Sequence, residues 1–191
     1  MLHCYNHTLT VVIYKYILPE CQNGKMTLKS KIAEFIVKRD FIPKKLKWER
    51  NVDGIARVYS GAYNLLDSKG KKKLADMMYE WGVHDADEVV KLLGIKRDLH
   101  GCAIALLTAH YTFGIRDSIV EEDENKVVMH ISYCRWNGRK DWNPALCAST
   151  DRYDHGLVKG INPDVKLVCT KRRSQGADVC EAILTKKELG K

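Results

Sequence analysis

The stretch Lys126-Val127-Val128-Met129-His130-Ile131-Ser132-Tyr133-Cys134 decides the fold class. Val127, Met129, Ile131 and Tyr133 alternate with Lys126, Val128, His130, Ser132 and Cys134, a period of two that belongs to a strand and not to a helix. Upstream, Ile119-Val120 reads as a partner strand, joined by an acidic, polar hairpin turn from Glu121 to Asn125. Downstream, Val165 to Arg173 and Val179 to Lys186 read as two further strands around a tight turn at Gln175-Gly176, with a separate turn at Asn162-Pro163-Asp164. Between the two hairpins lies a loop with two Trp, a Gly and a Pro, from Arg135 to Pro144, and Pro144 suits the first turn of a helix running to about Gly160.

Before Gly114 the period is helical. Val52, Ile55, Val58, Tyr59 and Ala62 mark one apolar face, and Leu74, Met77, Met78 and Trp81 mark another. Asp67-Ser68 and Asp85 suit N-caps, and Gly82 and Gly94 suit C-terminal stops. Leu99 to Phe113 is apolar on most sides and predicts a central buried helix, with His100, Cys102 and His110 as core residues whose polar atoms are satisfied. The expected class is therefore α+β: a helical part over residues 27–114, packed on a four-stranded antiparallel sheet over 115–187 that one helix crosses. Residues 26–191 make one domain. Residues 1–25 lack a helical period and read as an atypical extension, with Met26 as the expected start before an N-cap at Thr27-Leu28-Lys29-Ser30 and apolar Ile32, Phe35 and Ile36.

Bulk composition narrows the function classes. The 191 residues carry a formal net charge of +8. Lys and Arg fall in short clusters, such as Lys69-Gly70-Lys71-Lys72-Lys73 and Lys171-Arg172-Arg173, with acids between them. No zinc-finger spacing or aromatic RNA-binding strand accompanies them, so a nucleic-acid partner is not expected. No run approaches the roughly 18 apolar residues of a membrane helix, so no membrane partner is expected either. Seven cysteines, an odd number with no CxxC pair and no secretion signal before them, point to thiols or ligands in a reducing cytoplasm and not to a disulfide framework. The oligomeric state is left open.

The helix from Pro144 carries two stripes. Leu146, Thr150, Tyr153, Leu157 and Ile161 form the core-facing side. Beside it Cys147, Asp151 and His155 recur at one-turn intervals, presenting a thiol, a carboxylate and an imidazole in a row. Such a row suits proton transfer and thiol chemistry if it faces a cleft. With a two-residue turn at Gln175-Gly176, Cys180 falls opposite Lys171, and Cys169 and Cys180 share a strand face with Val165, Leu167, Ala182 and Leu184. As diagonal neighbours they are too far apart for an unstrained disulfide but within reach of one ligand or metal. Cys134, on the same face as His130, ends its strand at the rim of the Trp loop.

Taken in order, Cys134, Cys147 with Asp151, Ile161-Asn162-Pro163-Asp164-Val165, and Lys171-Arg172-Arg173-Ser174-Gln175-Gly176-Ala177-Asp178-Val179-Cys180-Glu181 resemble the L-2-amino-thiazoline-4-carboxylate hydrolase family. The similarity runs from about Trp48 to Lys186 and is densest in the last third. The resemblance implies a hydrolase that attacks the amidine-like C=N carbon of a thiazoline ring and opens the ring, giving N-carbamoyl-cysteine. It implies catalytic Cys134, Cys147, Asp151 and Cys180, with Gly176 shaping the turn; apart from the resemblance, His130 and His155 are candidate substrate contacts. The chain departs from the family pattern at Arg135, where a proline is usual, and at Ala182, where an aromatic is usual. No cofactor is assigned, and the partner is a small molecule. A second resemblance, to 4-vinyl-reductase-type ligand-binding domains, implies a sensor or carrier in which Cys169 and Cys180 hold zinc or iron without turnover.

Overall fold

The order of elements follows the change in period. The computed structural model describes Ile32 and residues 43–186. Among the elements described in full, three helices come first: α1 (Lys44–Leu65), α2 (Ser68–Leu93) and α3 (Leu99–Thr112). The hairpin β1 (Arg116–Glu122) and β2 (Lys126–Tyr133) follows, then α4 (Pro144–Ile161), then the hairpin β3 (Val165–Lys171) and β4 (Cys180–Lys186). All strand pairs are antiparallel, in the order β1-β2-β4-β3, so the fold is α+β as expected. The chain separates into two units, Met1–Trp48 and Glu49–Lys191, and the second carries the sheet and all five cysteines among the described residues. The expected boundary at Met26 and the helix start at Thr27-Leu28-Lys29-Ser30 lie outside the described residues.

Strand alternation builds the core. Val127, Met129 and Ile131 of β2 stand opposite Leu184, Ala182 and Cys180 of β4, and Leu167 and Cys169 of β3 stand opposite Leu184 and Ala182. This face packs against Leu99, Cys102 and Leu106 of α3 and Leu157, Val158 and Ile161 of α4. Burying each Leu- or Ile-sized side chain contributes about 1.5–3 kcal/mol. That outweighs the cost of about 1 kcal/mol for each of Gly156 and Gly160 inside α4.

Several boundaries move, each for a physical reason. Gly82 and Asp85 do not divide a helix, because α2 runs unbroken from Ser68 to Leu93. Gly82 is instead where α4 crosses: a Cβ there would lie 2.1 Å from the Tyr153 carbonyl oxygen, and one on Gly156 would lie 2.0 Å from that of Tyr79. With small Gly82 and Ala86 at the contact, Met77 and Trp81 are turned to solvent. On α1 the buried positions are Val52, Ala56 and Ser60, while Ile55 and Val58 are exposed. The expected caps Asp67 and Gly94 are in place, the first accepting from Gly70 N at 2.7 Å and the second left-handed at φ 63°. The first hairpin turn is shorter than expected. Glu121 and Glu122 continue β1, and Asp123 Oδ1 accepts from the N–H groups of Asn125 and Lys126, both at 2.8 Å.

Candidate active site

Four of the thiols sit where the ends of β2, β3 and β4 meet the first turns of α4. β2 ends at Tyr133, and the chain folds through successive turns, with Asn137 N donating to Cys134 O, Arg139 N to Trp136 O and Trp142 N to Arg139 O. Asn143 then caps α4 by accepting from Leu146 N at 3.0 Å, with Pro144 in the first helical turn. This local geometry sets Cys147 in the first turn of α4, directly after the loop.

The loop is a packed lid. Trp136 and Trp142 are both buried, with ring centroids 4.8 Å apart, and Phe113 and Tyr59 extend the stack. Arg135 grips Asp53 of α1 through Nε at 2.9 Å and Nη2 at 3.1 Å. Arg139 grips Asp141 in the same two-pronged way, and Asp141 also accepts from Ser60 Oγ at 2.9 Å. The Arg135 guanidinium holds the Asp53 carboxyl below its ordinary range, with Arg139 and Arg57 acting in the same direction.

Beneath the lid, N–H groups meet sulfur. Trp142 Nε1 donates to Cys147 Sγ at 3.0 Å, and Arg173 N donates to Cys180 Sγ at 3.2 Å. Cys134 takes backbone N–H bonds from Trp136 and Asn137 and lies within electrostatic reach of Cys147 and Cys180. Burial pushes its thiol up, the two N–H bonds pull it down, and the neighbouring sulfurs push it up again, leaving it raised. Cys169 is pushed up to about 12, first by burial and then by Cys180, Asp154 and Cys147. Asp151, one turn after Cys147, is paired with Arg172.

The structure thus brings Cys134 near Cys147 and Cys180, with Cys169 near the latter two, while Asp151 stands one turn after Cys147 and is paired with Arg172. Cys134 is on the core side with Cys180 and not on the face of His130, because the strand ends before it. His130 is on the opposite sheet face, where its Nε2 meets Glu181 Oε2 at 3.1 Å. That carboxylate, also bound by Lys171 and Thr170, is held down at about 2 by Lys171, Thr170 and His130 in turn. His155 leaves the row as well. It lines a shallow hollow of about 300 Å³ with Tyr79, Arg152 and Lys166, and burial lowers its pKa, Asp154 opposing and Arg152 adding.

The second hairpin corrects one register. Its turn is a 3-10 segment, Arg173–Gln175, closed by Gly176 at φ 94°. Lys171 lies opposite Glu181 and Cys169 opposite Ala182, with an irregularity between Cys169 and Lys171, so Cys180 is not opposite Lys171. Cys169 and Cys180 still share a face as diagonal neighbours. Among the described residues no group of three or more His, Cys, Asp or Glu side chains is arranged to hold a metal ion.

The sequence model of the L-2-amino-thiazoline-4-carboxylic acid hydrolase family matches residues 54–184, which span the lid, all four thiols and Asp151. The chain belongs to this family. No curated protein matches the sequence. Among solved structures, the chain is similar to a trafficking protein particle complex subunit 3 from Naegleria fowleri covalently bound to palmitic acid. That match has 15% identity and a TM-score of 0.55, and covers 76% of this chain and 98% of the other. It is also similar to the phenol-responsive sensory domain of the transcription activator PoxR with phenol, at 13% identity and TM-score 0.53, covering 73% and 76%. At such identities the likeness is one of fold. Among the described residues, no helix is long and apolar enough to cross a membrane.

This member of the thiazoline-carboxylate hydrolase family has a further polar group beside the thiols. His110 of α3 bonds Asp117 of β1 through Nδ1 at 2.6 Å and Asp154 of α4 through Nε2 at 3.2 Å. Burial alone would lower its pKa, but Asp154 and Asp117 outweigh burial and raise it to about 10. His110 is therefore a satisfied core residue, as expected, and Cys102 is fully buried. His100 is not: its ring is exposed and pairs with Glu122. The Asp117 and Asp154 partners carry no local sequence signal, since they are 7 and 44 residues from His110.

Proposed function

We propose that this protein is a hydrolase that opens a small thiazoline-carboxylate-like ring at the Cys134–Cys147–Cys180 site. The observation that supports it best is that Cys134 lies within electrostatic reach of Cys147 and Cys180 inside the segment that matches the family. Cys147 is the nucleophile in this reading, because it stands in the first turn of α4, one turn before Asp151, with its sulfur held by the Trp142 indole N–H. The thiolate adds to the amidine-like ring carbon, the bond from that carbon to ring sulfur breaks, and the sulfur leaves as the product thiol. Water then adds to the same carbon and expels Cys147. Its oxygen ends as the urea carbonyl of N-carbamoyl-cysteine. Asp151, one turn on and held by Arg172, accepts the proton of the incoming water.

The two hollows beside α4 contain no cysteine, and in this reading the Trp136–Trp142 lid gives way to admit the ligand. The test is incubation of the purified protein with L-2-amino-thiazoline-4-carboxylate, followed by liquid chromatography and mass spectrometry for N-carbamoyl-cysteine. Product formation well above the protein-free rate supports the reading, and its absence sinks it. A second reading, a ligand-binding sensor without turnover, draws on the fold shared with the phenol-responsive domain. Calorimetry with phenol separates the two: phenol binding without ring opening favours the sensor.

A further inference from the structure

Among the described residues, three buried side-chain polar atoms lack a hydrogen-bond partner: Trp136 Nε1, Arg173 Nε and Ser174 Oγ. Folded proteins rarely leave buried donors unpaired, and each exception calls for a cause. All three belong to segments that ring the same thiols. Arg173 donates its backbone N–H to Cys180 Sγ, and Ser174 follows it. Trp136 comes two residues after Cys134, is only 8% exposed, and stacks on the Trp142 ring that bonds Cys147.

Charge points the same way. Arg172 is neutralised by Asp151. Arg173 instead donates from Nη1 to the carbonyl oxygens of Ser132 and Asp178, and among the described residues no carboxylate forms an ion pair with it. The unpaired Nε–H of Arg173, the unpaired hydroxyl of the next residue, Ser174, and the unpaired indole N–H of Trp136 all offer hydrogen-bond donors, the hydroxyl being free to turn its proton toward an anion. The partner that completes this set is an anion with two oxygens, and a carboxylate has the shape for the guanidinium edge.

We propose that Arg173, with Ser174 and Trp136, is the docking point for the carboxylate of a small acid whose reactive part lies over Cys134, Cys147 and Cys180. The inference rests on the hydrolase reading for the identity of the thiol site and adds what that site selects. A neutral ligand can accept from these donors but leaves the guanidinium charge unmatched.

Calorimetry with two unreactive probes tests this. N-carbamoyl-L-alanine carries the carboxylate, and ethylurea is the same molecule without it. The wild-type protein is expected to bind the acid about 10- to 100-fold more tightly, the range for a hydrogen-bonded charge. Arg173→Gln removes that preference, Arg173→Lys restores part of it, and Ser174→Ala reduces it without changing ethylurea binding. Because Arg173→Gln also loses bonds to Ser132 and Asp178, far-UV circular dichroism accompanies it, and Ser174→Ala, which leaves those two bonds in place, gives a second test. Equal affinity for the two probes, no binding of the acid, or an acid preference that survives both variants overturns the proposal. Ring opening of 2-amino-2-thiazoline as fast as of its 4-carboxylate leaves the hydrolase reading standing and overturns this one. Arg173-dependent acid binding without any ring opening does the reverse.

Discussion

Gly156→Ala sets two effects against each other. Helix propensity alone favours alanine by about 1 kcal/mol in a helix interior. The crossing of α4 over α2 opposes it, because the added methyl would lie 2.0 Å from the Tyr79 carbonyl oxygen and 3.1 Å from Val83 N. Ordinary contact begins at 3.4 Å, so the helices must separate locally by more than 1 Å, and backbone cannot rotate aside as a side chain would. The separation also loosens Leu157 and Val158, both fully buried against the sheet. Overpacking of a tight core typically costs about 1–3 kcal/mol, and a backbone clash belongs at the upper end. The net expectation is a loss of about 2 kcal/mol, read as a lower urea midpoint with unchanged slope and a melting temperature down by about 4–8 °C. Gly61→Ala is the control: it sits on exposed α1 with nothing within 4 Å, so propensity acts alone and stability rises by about 0.5–1 kcal/mol. A Gly156→Ala protein as stable as wild type would refute the close-crossing argument.

Other predictions follow from the polar groups. His110 has its folded pKa raised to about 10 from an ordinary 6.5, so its contribution to stability is complete below about pH 6.5 and is lost as pH rises toward 10. Urea midpoints measured across that interval should fall more steeply for wild type than for His110→Gln, and parallel slopes would count against the Asp117–His110–Asp154 clamp. Native alkylation at pH 7.5 should spare Cys102, fully buried and pushed up to about 12, and enter slowly at Cys134 and Cys169, also raised, as peptide mapping would record. Rapid labelling of Cys102 would contradict its place in the core.

The fold class was legible because hydrophobic period is local: the alternation through Val127, Met129 and Ile131 and the stripe of Leu146, Leu157 and Ile161 both reappear as buried faces. What failed was set by distant partners. Gly82 has the signature of a helix end, and only the presence of α4 turns it into a crossing point. The hairpin register depended on a two-residue turn, and the 3-10 segment Arg173–Gln175 shifts it. His130 was grouped with Cys134 by strand parity, which ceases to hold one residue past the end of β2. Helical spacing joined Cys147 to Asp151 and strand parity joined Cys169 to Cys180, whereas Cys134 reached the others only through resemblance. The lid explains that gap, since its turns carry Cys134 back to the core side.

The most direct test of the thiol site is the rate of ring opening of L-2-amino-thiazoline-4-carboxylate by wild type and by Cys134→Ala, Cys147→Ala, Cys180→Ala and Cys102→Ala in parallel. The site described above predicts a loss of about a thousandfold or more for Cys147→Ala, as expected for a covalent nucleophile. Smaller losses are expected for Cys134→Ala and Cys180→Ala, and Cys102→Ala should turn over normally in whatever fraction folds. Ring opening that persists at the wild-type rate in Cys147→Ala, Cys134→Ala and Cys180→Ala alike would contradict it.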